Sequence, residues 1–496
     1  MNILQTAFAG ASWLAFFRII SQTFSWITTI IIARILIPED YGMMEMATIF
    51  TGYVVLFSEI GLGSAIVQRD EITQDELSSI FWFIVGWGFL LSLSCIVIAY
   101  PTAAVFRNES LIPLTQSMAI IFMLGALIIV PQNILLRELK FKVTGLIEAT
   151  SVIISCVSMI IMAVLGSGVW TLIGGNIVRT ACRAVLVMSF SGWRPRLSFE
   201  FDRLKPYLHY GIHVAIGNSL YYVYTKSDCF FAGRMLGASK LGYYSMALQL
   251  AVIPTDKVIS LINRVSFPLF SRCQNDPKTF NDFFLKMVKI LGIIALPLYC
   301  GGIFIADEMI LALLGTKWMD AIIPFKMLCV AQIFVALASV NAIVYNAKGL
   351  PRVNVYFNLV NVVLLPLSFF VAARYGLIYV AIPWITVHPL VRIVQTWMTL
   401  RLLALRISSY LKAISHPVYA VLSMMVVLVF FRSVYLDMFV PRQGTDVIYI
   451  IATLIIGAAS YVGYYALFQR NVITVLWELM TRRNRPLSRN DTKGEA

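Results

Sequence analysis

The chain has 496 residues, 59% of them hydrophobic and 13% charged, with a mean hydropathy of +0.82. A soluble domain has roughly a quarter of its residues charged, so this composition is made for lipid and excludes a water-soluble enzyme. The formal net charge of +14 does not point to nucleic acid, because the basic residues lie between apolar segments, where membrane topology accounts for them first.

A helix crosses the hydrocarbon core in about 20 apolar residues, and fourteen segments qualify. Met1–Gly10 lacks the basic start of a signal peptide. The first apolar run, Trp13–Ile37, exceeds the ~7–15 residues of a signal's apolar region, so it is expected to remain as a transmembrane helix. Met43–Val67, Ser78–Tyr100, Leu114–Leu136, Gly145–Leu165 and Val169–Phe190 complete a first set of six. His209–Phe231, Tyr244–Phe270, Val288–Ala306, Ala321–Tyr345, Val355–Ala373 and Leu377–Leu400 form a second set. Pro417–Tyr435 and Val447–Phe468 follow as an addition. The runs are too long for strands and lack alternation, and an open sheet cannot span a membrane. The expectation is an all-α integral membrane protein of about 14 helices. It has six-helix lobes over 1–208 and 209–408, two accessory helices within 409–480 and a basic tail over 481–496.

Loop charges set the orientation. The loops after the even-numbered segments, with the C-terminal tail, hold 21 Lys and Arg, among them Arg137, Lys140, Arg194, Arg196, Arg401 and Arg482, whereas the other loops hold six. The richer set is expected to face the cytoplasm, with both termini. The largest loop, Ser191–Leu208, leaves no room for a soluble catalytic domain. The seven cysteines are scattered through apolar runs and read as small hydrophobes, with no disulfide, zinc, haem or iron–sulfur spacing.

Two stretches match at a constant offset of 200: ARILIPEDYGMMEMA (Ala33–Ala47) and GRMLGASKLGYYSMA (Gly233–Ala247). Arg34 aligns with Arg234, Leu36 with Leu236, Gly42 with Gly242, Met46 with Met246 and Ala47 with Ala247. Each stretch joins the first two helices of its six-helix set. Six is even, so both sets keep one orientation and form a parallel repeat about an axis along the membrane normal.

A charge at the bilayer centre costs roughly 2.5–3.5 kcal/mol on insertion scales, so such residues face a cavity or a partner. Arg34, Glu45, Glu148 and Arg234 sit near helix ends and read as snorkelling. Arg18, Arg179, Lys226, Lys257, Arg264 and Arg392 lie deeper, against the acids Glu59, Asp228 and Asp256. Arg183 shares a helix face with Arg179, and it and Arg264 read equally as snorkelling. Interhelical ion pairing accounts for these charges as well as a cationic cavity does. The cavity reading makes the six cations candidates for binding an anionic headgroup such as a pyrophosphate. It makes Asp256, Asp228 and Glu59 candidates for ion coupling. Tyr221, Tyr222 and Tyr224 read as packing before sugar stacking, and His209 and His213 as interfacial residues. No nucleophilic triad, metal spacing or nucleotide-binding loop appears, so no cofactor is expected and transport is expected to draw on an ion gradient or on removal of cargo outside.

GLGSAIVQR (Gly61–Arg69), SSIFWFIVGWG (Ser78–Gly88), LLRELKFK (Leu135–Lys142), the Gly233–Ala247 string and RVSFPLFSR (Arg264–Arg272) carry a family resemblance. From about Gly10 to about Arg401 the chain resembles the polysaccharide flippases of the multidrug/oligosaccharidyl-lipid/polysaccharide (MOP) exporter superfamily. The resemblance is to their Wzx-like branch, which includes colanic acid and teichuronic acid exporters. It implies two six-helix lobes and a cargo of undecaprenyl-pyrophosphate-linked glycan, flipped to the outer leaflet of a bacterial inner membrane. A polysaccharide polymerase and glycosyltransferases are the implied partners, and membrane lipid the medium. Relatives in this branch often carry Asp before the GLG string, where this chain has Glu59, and Asn two positions before the seventh-segment Asp, where it has Lys226 before Asp228. A multidrug exporter of the same superfamily would call for an anionic or apolar cavity. A membrane glycan polymerase would call for a large outer loop with catalytic residues. A peptidoglycan-precursor flippase on the same fold is distinguished by essentiality.

Overall fold

A computed structural model describes residues 3–58, 66, 72–200, 205–438 and 447–469. Every regular element among them is helical, as a backbone in hydrocarbon requires when each N–H and C=O must find a partner within its own segment. In order they are α1 (Ile3–Ile35), α2 (Pro38–Val55), α3 (Gln74–Phe106), α4 (Leu111–Arg137), α5 (Phe141–Val164), α6 (Trp170–Phe190), α7 (Lys205–Leu236), α8 (Ala238–Arg272) and α9 (Pro277–Phe304). The short α10 (Ala306–Leu314) and a 3₁₀ turn (Thr316–Ala321) lead into α11 (Ile322–Ala347) and α12 (Pro351–Ala372). Three pieces follow, α13 (Leu377–Val380), α14 (Ile382–Ile385) and α15 (Val387–Leu402), and then α16 (Ile407–Met438) and α17 (Val447–Phe468).

Eleven spans among the described residues are long and apolar enough to cross a membrane, against the fourteen expected. The segments not among the eleven are the helices α2, α7 and α8. They carry the charge: Glu39, Asp40 and Glu45 in the eighteen residues of α2, Lys226, Asp228 and Arg234 in α7, and Lys240, Asp256, Lys257 and Arg264 in α8. The expected single helix Leu377–Leu400 is broken into three, because Pro383 has no N–H to donate and Thr386 leaves the helical region at φ −122°, ψ −74°.

Local signals account for the ends. Thr73 and Glu76 cap α3 reciprocally, the Glu76 amide donating to the Thr73 hydroxyl at 3.3 Å and the Thr73 amide to the Glu76 carboxylate at 3.0 Å. Asp40 turns back to accept from the Ile37 amide at 3.0 Å at the start of α2. The last carbonyls of α1 are met by donors from the 3₁₀ turn: Trp318 Nε1 donates to Ala33 O at 2.9 Å, and Lys317 to Arg34 O and Leu36 O.

Contacts divide the chain into two units. The first takes in Met1–Ile253, Leu313–Ala331 and Leu350–Arg392. Within it α3 packs on α4, α1 and α6 on α5, α4 on α6, and α2 against α3, α4 and α7. No hydrophobic force drives helices together in lipid, so close approach rests on small residues and interhelical hydrogen bonds. A Cβ on Gly88 of α3 would meet the Ala126 methyl of α4 at 2.7 Å, and Ser155 of α5 donates to the Gly175 carbonyl of α6 at 2.7 Å.

The second unit takes in Pro254–Ala312, Gln332–Gly349 and Ile393–Ala496. Its core gathers Phe270, Phe280, Phe284, Val288, Leu291, Val340 and Val344, all fully buried. There α9 packs on α16 and α16 on α17, with Arg432 3.1 Å from Glu308. The division falls inside α8 at Pro254, where the helix loses one backbone donor.

Candidate functional site

The charges inside the first unit's helices form three groups. The first joins the two repeats: Lys226 on α7 donates to Glu45 on α2 at 2.7 Å, both half-buried. Four residues before Lys226, the Tyr222 hydroxyl donates to the α2 carbonyls of Ile49 (2.9 Å) and Thr48 (3.2 Å), which Gly52 makes possible by leaving room for the phenol. Glu45 is therefore a partner across the repeat rather than a snorkelling end residue.

The second group centres on Asp228, which is fully buried. Its carboxylate accepts from Tyr244 OH (2.8 Å), Trp384 Nε1 (2.8 Å) and the Cys229 amide (2.6 Å). Three donors from α7, α8 and α14 satisfy an anion that the bilayer would otherwise exclude. Nearby, Arg392 Nε donates to His388 Nε2 at 3.1 Å and hydrogen-bonds the buried Tyr224 hydroxyl. A His388 Nε2 that accepts places the ring proton on Nδ1, which is buried with no hydrogen-bond partner among the described residues. The sequence reading passed over His388, and its position four residues before Arg392 was the only available signal.

The third group lies in the N-terminal bundle. Arg179 approaches Glu148 at 4.0 Å, while Arg183, one turn on, donates to the Gln132 amide oxygen at 2.8 Å. Arg183, not Arg179, lines a cavity of about 500 Å³ between α2, α3, α4 and α6. The lone 4-residue spacing could not tell which arginine faces inward, because α5 brings Glu148 to one and α4 brings Gln132 to the other.

Of the other expected residues, Arg18 is exposed on α1, and Asp256 and Lys257 are exposed on the second unit's part of α8. Glu59 and the side chains of Arg264, His209 and His213 lie outside the described residues, as do most of the Gly61–Arg69 string and the basic tail. Tyr222 and Tyr224 pack and hydrogen-bond within the first unit, and Tyr221 is exposed. Among the described residues no group of three His, Cys, Asp or Glu is placed to hold a metal.

Helices long and apolar enough to cross a membrane, with charged residues held between them, define a multi-pass membrane protein. The sequence profile described as polysaccharide biosynthesis protein matches residues 31–323, more than half of the chain. The chain belongs to that polysaccharide biosynthesis family. It is 25% identical over 365 residues to the lipopolysaccharide biosynthesis protein WzxC of Escherichia coli (strain K12), covering 72% of this chain and 73% of that one. It is 24% identical over 419 residues to the teichuronic acid biosynthesis protein TuaB of Bacillus subtilis (strain 168), covering 84% and 87%. Among solved structures, the lipid II flippase MurJ in an inward closed conformation superposes with a TM-score of 0.68 at 15% identity, over 93% of this chain and 99% of that one. That likeness shows the fold.

Proposed function

We propose that the protein flips an undecaprenyl-pyrophosphate-linked oligosaccharide from the cytoplasmic to the periplasmic leaflet of the bacterial inner membrane, for surface polysaccharide synthesis. Both termini face the cytoplasm in this reading, and an ion gradient drives alternating access of the lobes 1–208 and 209–408. The observation that carries it is the charge inside the first unit's helices: Arg18, Arg179, Arg183, Lys226 and Arg392 stand against Glu45, Glu148 and Asp228. That excess of cations favours an anionic headgroup and disfavours a cationic drug. Lys257 and Arg264 are the remaining cation candidates for that headgroup. Asp256, exposed on α8, suits ion coupling better than Asp228, which is committed to three donors. A polymerase and glycosyltransferases would work on either side of the transport step.

Deleting the gene and quantifying surface polymer and lipid-linked repeat units tests the reading. Loss of polymer with accumulation of the complete lipid-linked unit on the cytoplasmic face is expected. Unchanged polymer without accumulation would overturn it.

A further inference from the structure

The cavity in the N-terminal bundle has a built polarity. Along α4 its wall runs from Ile121 and Phe122 through Gly125 to Gln132 and Asn133. Gly88 lies against Phe122 and Ala126, which sets Leu91 of the antiparallel α3 at the apolar end. Arg183 is bonded to Gln132, which sets the guanidinium at the polar end. The fifteen lining residues among those described hold one cation and no acid. A smaller hollow shares Gln132 and Arg183 with the cavity and is lined by Glu148, which Arg179 approaches at 4.0 Å, so among the described residues two cations face one acid there.

The twelve helical steps from Ile121 to Asn133 rise about 18 Å, a little over half the ~30 Å hydrocarbon core. The apolar part, from Ile121 to Ile129, spans about 12 Å, most of the ~15 Å of one leaflet's chains, and about 500 Å³ lies within the range of small-molecule sites. An apolar hollow inside a bilayer loses dispersion contacts that a hydrocarbon chain would restore. A guanidinium flanked by amides is donor-rich and fits the oxygens of a phosphate.

We infer that this cavity is a lipid-binding site inside the N-terminal bundle, holding one hydrocarbon chain against Ile121, Phe122 and Leu91 and a phosphate headgroup at Arg183, Gln132 and Asn133. Two sources offer that chemistry, a bilayer phospholipid and a prenyl phosphate. The inference rests on the cavity alone and stands whether or not a glycan is moved.

The test uses full-length protein in a neutral maltoside detergent, titrated in native mass spectrometry with oleoyl lysophosphatidate, geranylgeranyl phosphate and monoolein. The two phosphates are expected to bind about tenfold or more tightly than the uncharged monoolein, as charge-assisted hydrogen bonds imply. Arg183→Gln keeps a donor but removes the charge, and is expected to bring the phosphates down to the monoolein level. Gly125 lines the cavity, and a Cβ there meets nothing within 4 Å, so Gly125→Phe fills the hollow without a clash at its root. That variant is expected to lose all three ligands and keep its thermal midpoint. The lipid retained by the protein as purified identifies the source, a glycerophospholipid or a prenyl phosphate. Equal affinity for phosphate and monoolein, or unchanged binding in both variants, would overturn the inference. Polymer export in the same two strains is a separate readout that bears on the transport reading alone.

Discussion

Gly42 and Gly242 stand at the crossing of the N-terminal turns of α2 and α8, each set against the backbone that opens the other helix. A Cβ on Gly42 would lie 1.8 Å from the Ala238 carbonyl oxygen, and one on Gly242 would lie 1.7 Å from the Pro38 carbonyl oxygen. Pro38 and Ala238 are themselves equivalent at the offset of 200, so the contact is reciprocal, as in a two-fold interface between identical subunits. The internal repeat is thus a geometric relationship as well as a sequence one.

That closeness makes either glycine intolerant of a side chain. Gly242→Ala forces backbone apart and is expected to destabilise by about 1–3 kcal/mol, the usual cost of overpacking. Gly86→Ala and Gly463→Ala place a Cβ in open space on helices and are expected to be neutral or to stabilise by about 0.5–1 kcal/mol. Thermal unfolding of the four proteins in one detergent checks the difference in sign.

The Glu45–Lys226 pair joins the two repeats in a partly buried setting. Lys226→Ala strands Glu45, and Glu45→Ala strands Lys226, whereas the double variant strands neither. Single changes are expected to lower export at normal protein level, with a coupling on the order of 1–3 kcal/mol in a double-mutant cycle of unfolding. A double variant no better than the sum of its parts would show that the pair is not coupled.

Asp228 organises three donors. Asp228→Ala leaves Tyr244 O–H, Trp384 N–H and the Cys229 amide without their acceptor. Each buried unsatisfied group costs about 1–3 kcal/mol, so the variant is expected to accumulate poorly. Trp384→Phe removes one donor and leaves the carboxylate two, and is expected to be milder. Membrane-fraction yield and thermal midpoint rank the two.

Asp276 caps α9 outside the membrane-spanning segments, accepting from the Thr279 hydroxyl at 2.5 Å and from the amides of Thr279 (3.2 Å) and Lys278 (3.1 Å). These bonds, the Thr279 hydroxyl first, hold its carboxyl below the usual carboxylate value. A depressed folded value means the cap stabilises fully above the unfolded pKa of about 3.9 and fades as pH falls through the lower folded value. The midpoint difference between the natural protein and Asp276→Ala is therefore expected to be constant from pH 7 to pH 5 and to shrink below about pH 4.

The amino-acid sequence by itself determined the solvent, the helical class and the repeat. Apolar runs near 20 residues admit one solution in hydrocarbon, and the Gly42/Gly242 register is visible as spacing. It also marked the embedded charges, because each is conspicuous against its apolar surroundings. Tertiary structure alone decided their partners. Glu45 and Lys226 are 181 positions apart, and Asp228 and Trp384 are 156 apart, and no local period encodes a contact at that separation. Arg179 and Arg183 have the same spacing rule and the same surroundings in sequence, yet only Arg183 reaches the cavity. Which face of a helix meets a neighbour is set by the small residues and polar partners on the other helices, and those come together only when the bundle is assembled.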